Sequence, residues 1–270
     1  MGNNCGMIAG NVIRILAPAV LATAALSGSV VSAAAAPVAS AQPCPDVQVL
    51  FARGTGEDPG VGPTGQAFVD NLRGRIGGRS MDVYPINYPA TQEWSTGLDG
   101  IRDAGAHVES TAASCPQTKM VLSGYSQGAA VMGFVTSAAV PDGVDPATVP
   151  KPLAPEIANH VAAVVLFGTP NVRAMNFLNE PPVVIGPTYA SKTIKVCAPE
   201  DPVCSDGMNF AAHDTYADDG SIVAKGADFA ASRINAGPPP GPAGPTTPGP
   251  AGPAPGPAPV VGSPHGGFGS

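Results

Sequence analysis

An α/β fold built on a parallel sheet is what this sequence predicts, and three observations carry it. Between residues 42 and 235 short apolar runs alternate with amphipathic helical stripes. The run Met120-Val121-Leu122 stops on Gly124-Tyr125-Ser126-Gln127-Gly128, and the small-residue stretch Ala129 to Phe134 follows at once. Strands separated by helices cannot pair as tight hairpins, so the helices serve as crossovers between parallel strands.

In chain order, Val47 to Ala52 reads as a short buried strand, and Thr64 to Ile76 sets Ala67, Phe68, Leu72 and Ile76 on one helical stripe. Met81 to Tyr88 alternates as a strand. Trp94 to Ser114 is a longer helix with Leu98, Ile101, Ala104 and Val108 on one face. Met120 to Gly124 is the next strand, and a helix from Ser126 to about Val140 is broken by Pro141 and Asp142-Gly143. Val161 to Phe167 is fully apolar, Thr193 to Cys197 is a shorter strand, and Ser221 to Ile234 is the closing helix.

The flanks differ in composition from this domain. Arg14 is the one charge before Asp46, Ile15 to Val31 is an apolar core of signal-peptide length, and Ala39-Ser40-Ala41 is an A-x-A cleavage site. Residues 1–41 therefore read as an export signal, with Met7 an alternative start, and the expected location is secreted, extracellular or cell-wall associated. From Ala236 onward the chain is mainly Pro, Gly and Ala with no Asp, Glu, Lys or Arg, which predicts an extended tail over 236–270 that buries no core. That tail is a candidate for cell-wall contact. The domain, 42–235, is expected to act as a monomer.

Of the 5 Cys, Cys5 leaves with the signal, and four remain for an oxidising compartment. Four allow three pairings; the short separation of Cys197 and Cys204 favours a local bridge and leaves Cys44 with Cys115. No C-x-x-C spacing or histidine pair indicates zinc, and neither a metal nor another cofactor is expected. The formal net charge of −7 without a basic cluster makes nucleic acid and anionic headgroups poor partners. No integral membrane association is expected either.

A strand that ends on G-x-S-x-G and turns directly into a helix is the nucleophile elbow of an α/β-hydrolase. The residues two before and two after the serine nearly touch there, so Gly124 and Gly128 suit their places and Ser126 Oγ is lifted clear of the sheet. With 34 Gly in the chain the pentapeptide needs support from its context. A serine hydroxyl also needs a base and a carboxylate to orient that base. Among the 4 His, His107 falls within a solvated helix, His160 opens a strand and His265 lies in the tail. His213 remains, after the last strand and before the last helix, where the fold places its histidine. Asp201, inside the Cys197 to Cys204 loop, is the acid; Glu200, Asp206 and Asp214 are its rivals. Gln127 and Thr55, the latter in Ala52-Arg53-Gly54-Thr55-Gly56, are placed to supply the two backbone N–H donors of an oxyanion hole.

These residues resemble the cutinase family of serine esterases, over about residues 44 to 235. The resemblance rests on Phe51-Ala52-Arg53-Gly54-Thr55-Gly56-Glu57, Gly124-Tyr125-Ser126-Gln127-Gly128-Ala129, Cys197-Ala198-Pro199-Glu200-Asp201-Pro202-Val203-Cys204 and Ala212-His213. It implies a minimal α/β-hydrolase with a central parallel sheet of about five strands, helices on both faces and no lid domain. It also implies Ser126, Asp201 and His213 as the triad, Thr55 and Gln127 as the oxyanion hole, and the same two disulfides. Carboxylic esters, from short acyl esters to acylglycerols and phospholipids, are the implied substrates. Fungal members typically carry serine where this chain has Thr55, and the core family lacks the Pro/Gly tail. Val184, Met208 and Phe210 are candidates to line an acyl groove. A phospholipase or thioesterase with the same triad is the second enzymatic reading; a catalytically inactive cell-wall binding protein is the alternative from another class.

Overall fold

The computed structural model describes residues 43–236. The expected export signal and C-terminal tail, with His265, lie outside the described residues.

Five strands form one sheet in the order β2-β1-β3-β4-β5, with every neighbouring pair parallel. They are β1 (Val47–Ala52), β2 (Met81–Pro85), β3 (Lys119–Tyr125), β4 (Val161–Phe167) and β5 (Thr193–Val196). The helices are α1 (Gly62–Arg73), α2 (Gly97–Ser114), α3 (Gln127–Val135), α4 (Val172–Phe177), α5 (Pro187–Ala190) and α6 (Gly220–Asn235). Side chains alternate across a strand, so β1, β3 and β4 each feed two cores at once. Val49, Phe51, Val121, Val165 and Phe167 join Phe68, Leu72 and Ala227 on the α1/α6 face. Leu50, Leu122, Val164 and Leu166 meet Ala104, Val108, Val131 and Met132 on the α2/α3 face. A strand covered on both faces is apolar along most of its length, which is why these three read as hydrophobic runs, with buried Gln48 and Ser123 satisfied by hydrogen bonds.

Strand order places the site. The chain runs from β1 outward to β2, then returns to lay β3 on the other side of β1. Ligands of open α/β sheets bind where the order reverses, beyond the carboxyl ends of the strands. Ala52 pairs with Gly124, so the loop that starts at Arg53 and the turn at Ser126 leave the sheet at the same level.

Several element boundaries differ from the sequence reading. Strand β2 ends at Pro85 rather than Tyr88: Ile86 N–H still reaches the Phe51 carbonyl at 2.9 Å, but Asn87 N–H is taken by Asp103 Oδ2 at 2.9 Å and the chain arches away. Trp94–Thr96 is a 3₁₀ turn before α2 begins. Helix α3 stops at Val135 instead of near Val140 because Thr136 Oγ1 caps the Met132 and Gly133 carbonyls, while Gly186 N–H claims that of Thr136. The short α4 and α5 carry too few residues for a periodic signal. His107 is half-buried rather than solvated: its ring stacks on Tyr84 with centroids 3.5 Å apart, and Nε2 lies 3.1 Å from Gln48 Oε1.

Candidate active site

The turn between β3 and α3 requires two glycines by close approach. A Cβ on Gly124 would lie 2.3 Å from the Gly128 carbonyl oxygen, and one on Gly128 would lie 1.9 Å from that of Ala52. Between them Ser126 has φ 54° and ψ −118°, a backbone setting that raises its side chain above the sheet end. The turn is pinned by Ser126 N–H donating to the Phe167 carbonyl at 2.9 Å.

Ser126, His213 and Asp201 form one hydrogen-bonded chain. Ser126 Oγ lies 2.8 Å from His213 Nε2, and His213 Nδ1 lies 2.8 Å from Asp201 Oδ2. With Asp201 accepting from Nδ1–H, Nε2 is left as the acceptor for the serine hydroxyl. The His213 ring lies against Tyr125, with centroids 5.2 Å apart, and the Tyr125 hydroxyl donates to the His213 carbonyl at 2.5 Å.

Asp201 is fully buried, and each of its carboxylate oxygens is held. Val203 N–H donates to Oδ1 at 2.9 Å, and the buried Tyr216 hydroxyl donates to Oδ2 at 2.7 Å while accepting from Ala198 N–H. Burial works to raise this carboxyl, but the hydrogen bonds from His213, Tyr216 and Val203 outweigh it and hold it below the ordinary carboxylate value. The loop is closed by the Cys197–Cys204 disulfide, and Cys44 is bridged to Cys115. The rival carboxylates stand elsewhere: Glu200 sits at φ 65° in the same loop, Asp206 makes no bond to His213, and Asp214 lines the cavity beside Ser126 without reaching the imidazole. Sequence reasoning missed Tyr216, whose bond to Asp201 forms only in the folded chain.

Thr55 shares a cavity of about 260 Å³ with Ser126 and His213. Among the described residues neither Thr55 N–H nor Gln127 N–H finds a protein acceptor, and Gln127 N–H belongs to the unpaired first turn of α3. Val184, Met208 and Phe210 are 61%, 75% and 70% exposed, and the structure brings none of them into that cavity.

The loop that carries Thr55 is held by two residues that the sequence reading quoted without assigning a role. Buried Arg53 donates to the carbonyls of Glu57 (2.8 Å), Tyr88 (2.7 Å) and Pro89 (3.2 Å). Glu57 Oε2 accepts Gly54 N–H at 2.6 Å. Burial pushes the Glu57 carboxyl up, against the lowering pull of the Gly54 N–H and the Arg53 guanidinium. A carboxyl raised on folding stabilises the folded state in acid and loses that contribution as pH rises through its raised pKa. Glu57→Gln, which keeps an acceptor oxygen, is therefore expected to flatten the acid-side dependence of the melting temperature and retain most activity. Glu57→Ala is expected to lower kcat on the order of 10²-fold by releasing the loop. Melts across a pH series with steady-state kinetics check both; identical slopes for wild type and Glu57→Gln would contradict the first.

The family model described as Cutinase matches residues 43–234. The chain belongs to the cutinase family. Its cutinase-family relatives include the probable carboxylesterase Culp5 of Mycobacterium tuberculosis strain H37Rv, 60% identical over 62% of this chain and 95% of that protein. Phospholipase Culp4 of the same strain is 42% identical over 82% of this chain and 92% of that protein. Among solved structures, Trichoderma reesei cutinase in complex with a C11Y4 phosphonate inhibitor superposes with a TM-score of 0.53 and 32% identity, over 72% of this chain and 78% of that one. This cutinase-family protein is a carboxylic ester hydrolase on an α/β-hydrolase sheet.

Proposed function

We propose that the protein is a secreted serine esterase in which residues 42–235 are the catalytic domain, released from the signal at 1–41 and trailed by the 236–270 tail. It acts on short- to medium-chain acyl esters or lipids through an acyl-enzyme. The observation that carries this is the unbroken Ser126–His213–Asp201 chain, 2.8 Å at each link, at the switch point of the sheet. His213 Nε2 takes the proton as Ser126 Oγ bonds to the ester carbonyl carbon, and the resulting oxyanion is met by the N–H groups of Thr55 and Gln127. The carbon–alkoxy bond then breaks and His213 returns the proton to the departing alcohol. Water, deprotonated by His213, attacks the acyl-enzyme in the second half and releases the carboxylic acid and free Ser126.

Two disulfides support an oxidising compartment, and no helix among the described residues is long and apolar enough to cross a membrane. The likeness to phospholipase Culp4 favours a second reading, cleavage of diacyl phospholipids by the same residues. Labelling with a fluorophosphonate tests the proposal. One adduct per chain is expected, on the peptide that contains Ser126; labelling of another serine, or none, would overturn it. Release of fatty acid from phosphatidylcholine vesicles separates the two substrate readings.

A further inference from the structure

Tyr216 lies next to the triad but outside the lining of the cavity that holds Ser126. Its ring is fully buried, tilted against Tyr125 with centroids 5.3 Å apart and edge-on to Phe167 at 6.4 Å and to His213 at 6.0 Å. Gly168, just past β4, comes so close that a Cβ there would lie 3.2 Å from the hydroxyl oxygen. Around that oxygen the roles are fixed. Ala198 N–H donates to it at 2.9 Å, and its one proton goes to Asp201 Oδ2 at 2.7 Å rather than to the Cys204 disulfide sulfur at 3.3 Å, a far weaker acceptor. Burial pushes this phenol well above its ordinary value, so it stays protonated and remains a donor.

We propose that Tyr216 is a positioning residue of the triad: its hydroxyl shares Asp201 Oδ2 with His213 Nδ1–H, which fixes the rotation of the carboxylate and weakens its hold on the imidazolium. The inference rests on the serine-esterase reading and adds to it the group that sets how readily His213 gives up its proton. A hydrogen bond to an ionised carboxylate stabilises that form, and the carboxylate becomes a weaker partner for charge on the imidazole. Val203 N–H holds Oδ1, so the hydroxyl is what settles Oδ2 between two donors. The other titratable and charged groups around the pair are Asp214 and Glu57, which line the cavity with His213, and Tyr125, whose hydroxyl donates to the His213 carbonyl. Arg173 donates to the carbonyls of Pro202 and Ser205, and Glu200 and Asp206 belong to the acid loop itself. A change at position 216 removes none of them.

Tyr216→Phe keeps the ring and removes the hydroxyl. The acid-side midpoint of kcat/KM is expected to move up by about one pH unit, the order that one hydrogen bond to a charged group supplies. Above that midpoint kcat is expected to fall about tenfold with KM within about twofold, because the carboxylate loses a bond that orients it while the cavity lining is unchanged. A role in packing alone would lower the melting temperature and leave midpoint and kcat in place; that result would overturn the proposal. Replacement of Tyr216 by 3-fluorotyrosine, whose hydroxyl is a stronger donor, grades the effect. The midpoint is expected to move down, opposite to the Phe variant, and this arm decides the matter if the Phe variant fails to fold. NMR titration of the His213 imidazole reads the same shifts without substrate. Shifts of opposite sign in the two variants would support the positioning role even where no ester is hydrolysed, and then the esterase reading alone would fall. A His213 midpoint indifferent to both changes, with ester hydrolysis intact, would overturn the positioning role and leave the esterase standing.

Discussion

Ser126→Ala is expected to lower kcat by about 10⁴-fold or more while KM, the circular-dichroism spectrum and the melting temperature stay close to wild type. In the proposed mechanism the hydroxyl is the atom that bonds to the acyl carbon, and its loss leaves His213 with no proton to take. The change removes one partly buried oxygen that bonds His213, and the turn it sits in is set by Gly124, Gly128 and the bond from Ser126 N–H to the Phe167 carbonyl, all retained. Ser123 is the internal control. It is fully buried and its hydroxyl donates to the Val165 carbonyl at 2.6 Å, so Ser123→Ala is expected to keep its activity with at most a modest loss of stability. Turnover of p-nitrophenyl butyrate by both variants checks the pair; near-normal turnover by Ser126→Ala would remove the nucleophile from the mechanism.

Asp201→Asn is expected to cost about as much, on the order of 10⁴-fold in kcat, with the fold retained. The carboxylate accepts two donors on Oδ2, His213 Nδ1–H and the Tyr216 hydroxyl. An amide nitrogen must take one of the two oxygen positions: at Oδ1 it opposes the Val203 N–H, and at Oδ2 it opposes the Tyr216 hydroxyl and Nδ1–H, where the imidazole proton moves to Nε2 and faces the serine hydroxyl. The same carboxyl has a pH signature. It is held below its ordinary value, so it stabilises the fold above the usual carboxylate range and gives that contribution up as pH falls through the lowered pKa. The melting-temperature advantage of wild type over Asp201→Asn is therefore expected to be full above about pH 5 and to shrink in stronger acid. Unimpaired activity in the variant would transfer the role to Glu200 or take the carboxylate out of the reaction.

Strands β1, β3 and β4 were legible because burial on two faces leaves a mostly apolar run, and Ser126 because a sharp strand-to-helix turn demands glycine on both sides. His213 and Asp201 followed from chain order and from the cysteines that bracket one of them. Tyr216, Arg53 and Glu57 were not legible in those terms. Each acts through a contact that only the folded chain creates: Tyr216 on a carboxylate 15 residues away, Arg53 on carbonyls 35 and 36 residues on.

The left-handed φ of 54° at Ser126 sets the interests of the fold against those of the chemistry. A side-chain-bearing residue in such a region costs on the order of 1–3 kcal/mol, and glycine escapes most of that cost. A chain selected for thermal endurance alone would carry glycine at position 126 and melt higher for it. The serine persists at a spot where the backbone resists it, held by the packed sheet ends of β1, β3 and β4, so the rigidity of the surrounding sheet is what makes a reactive hydroxyl tenable there.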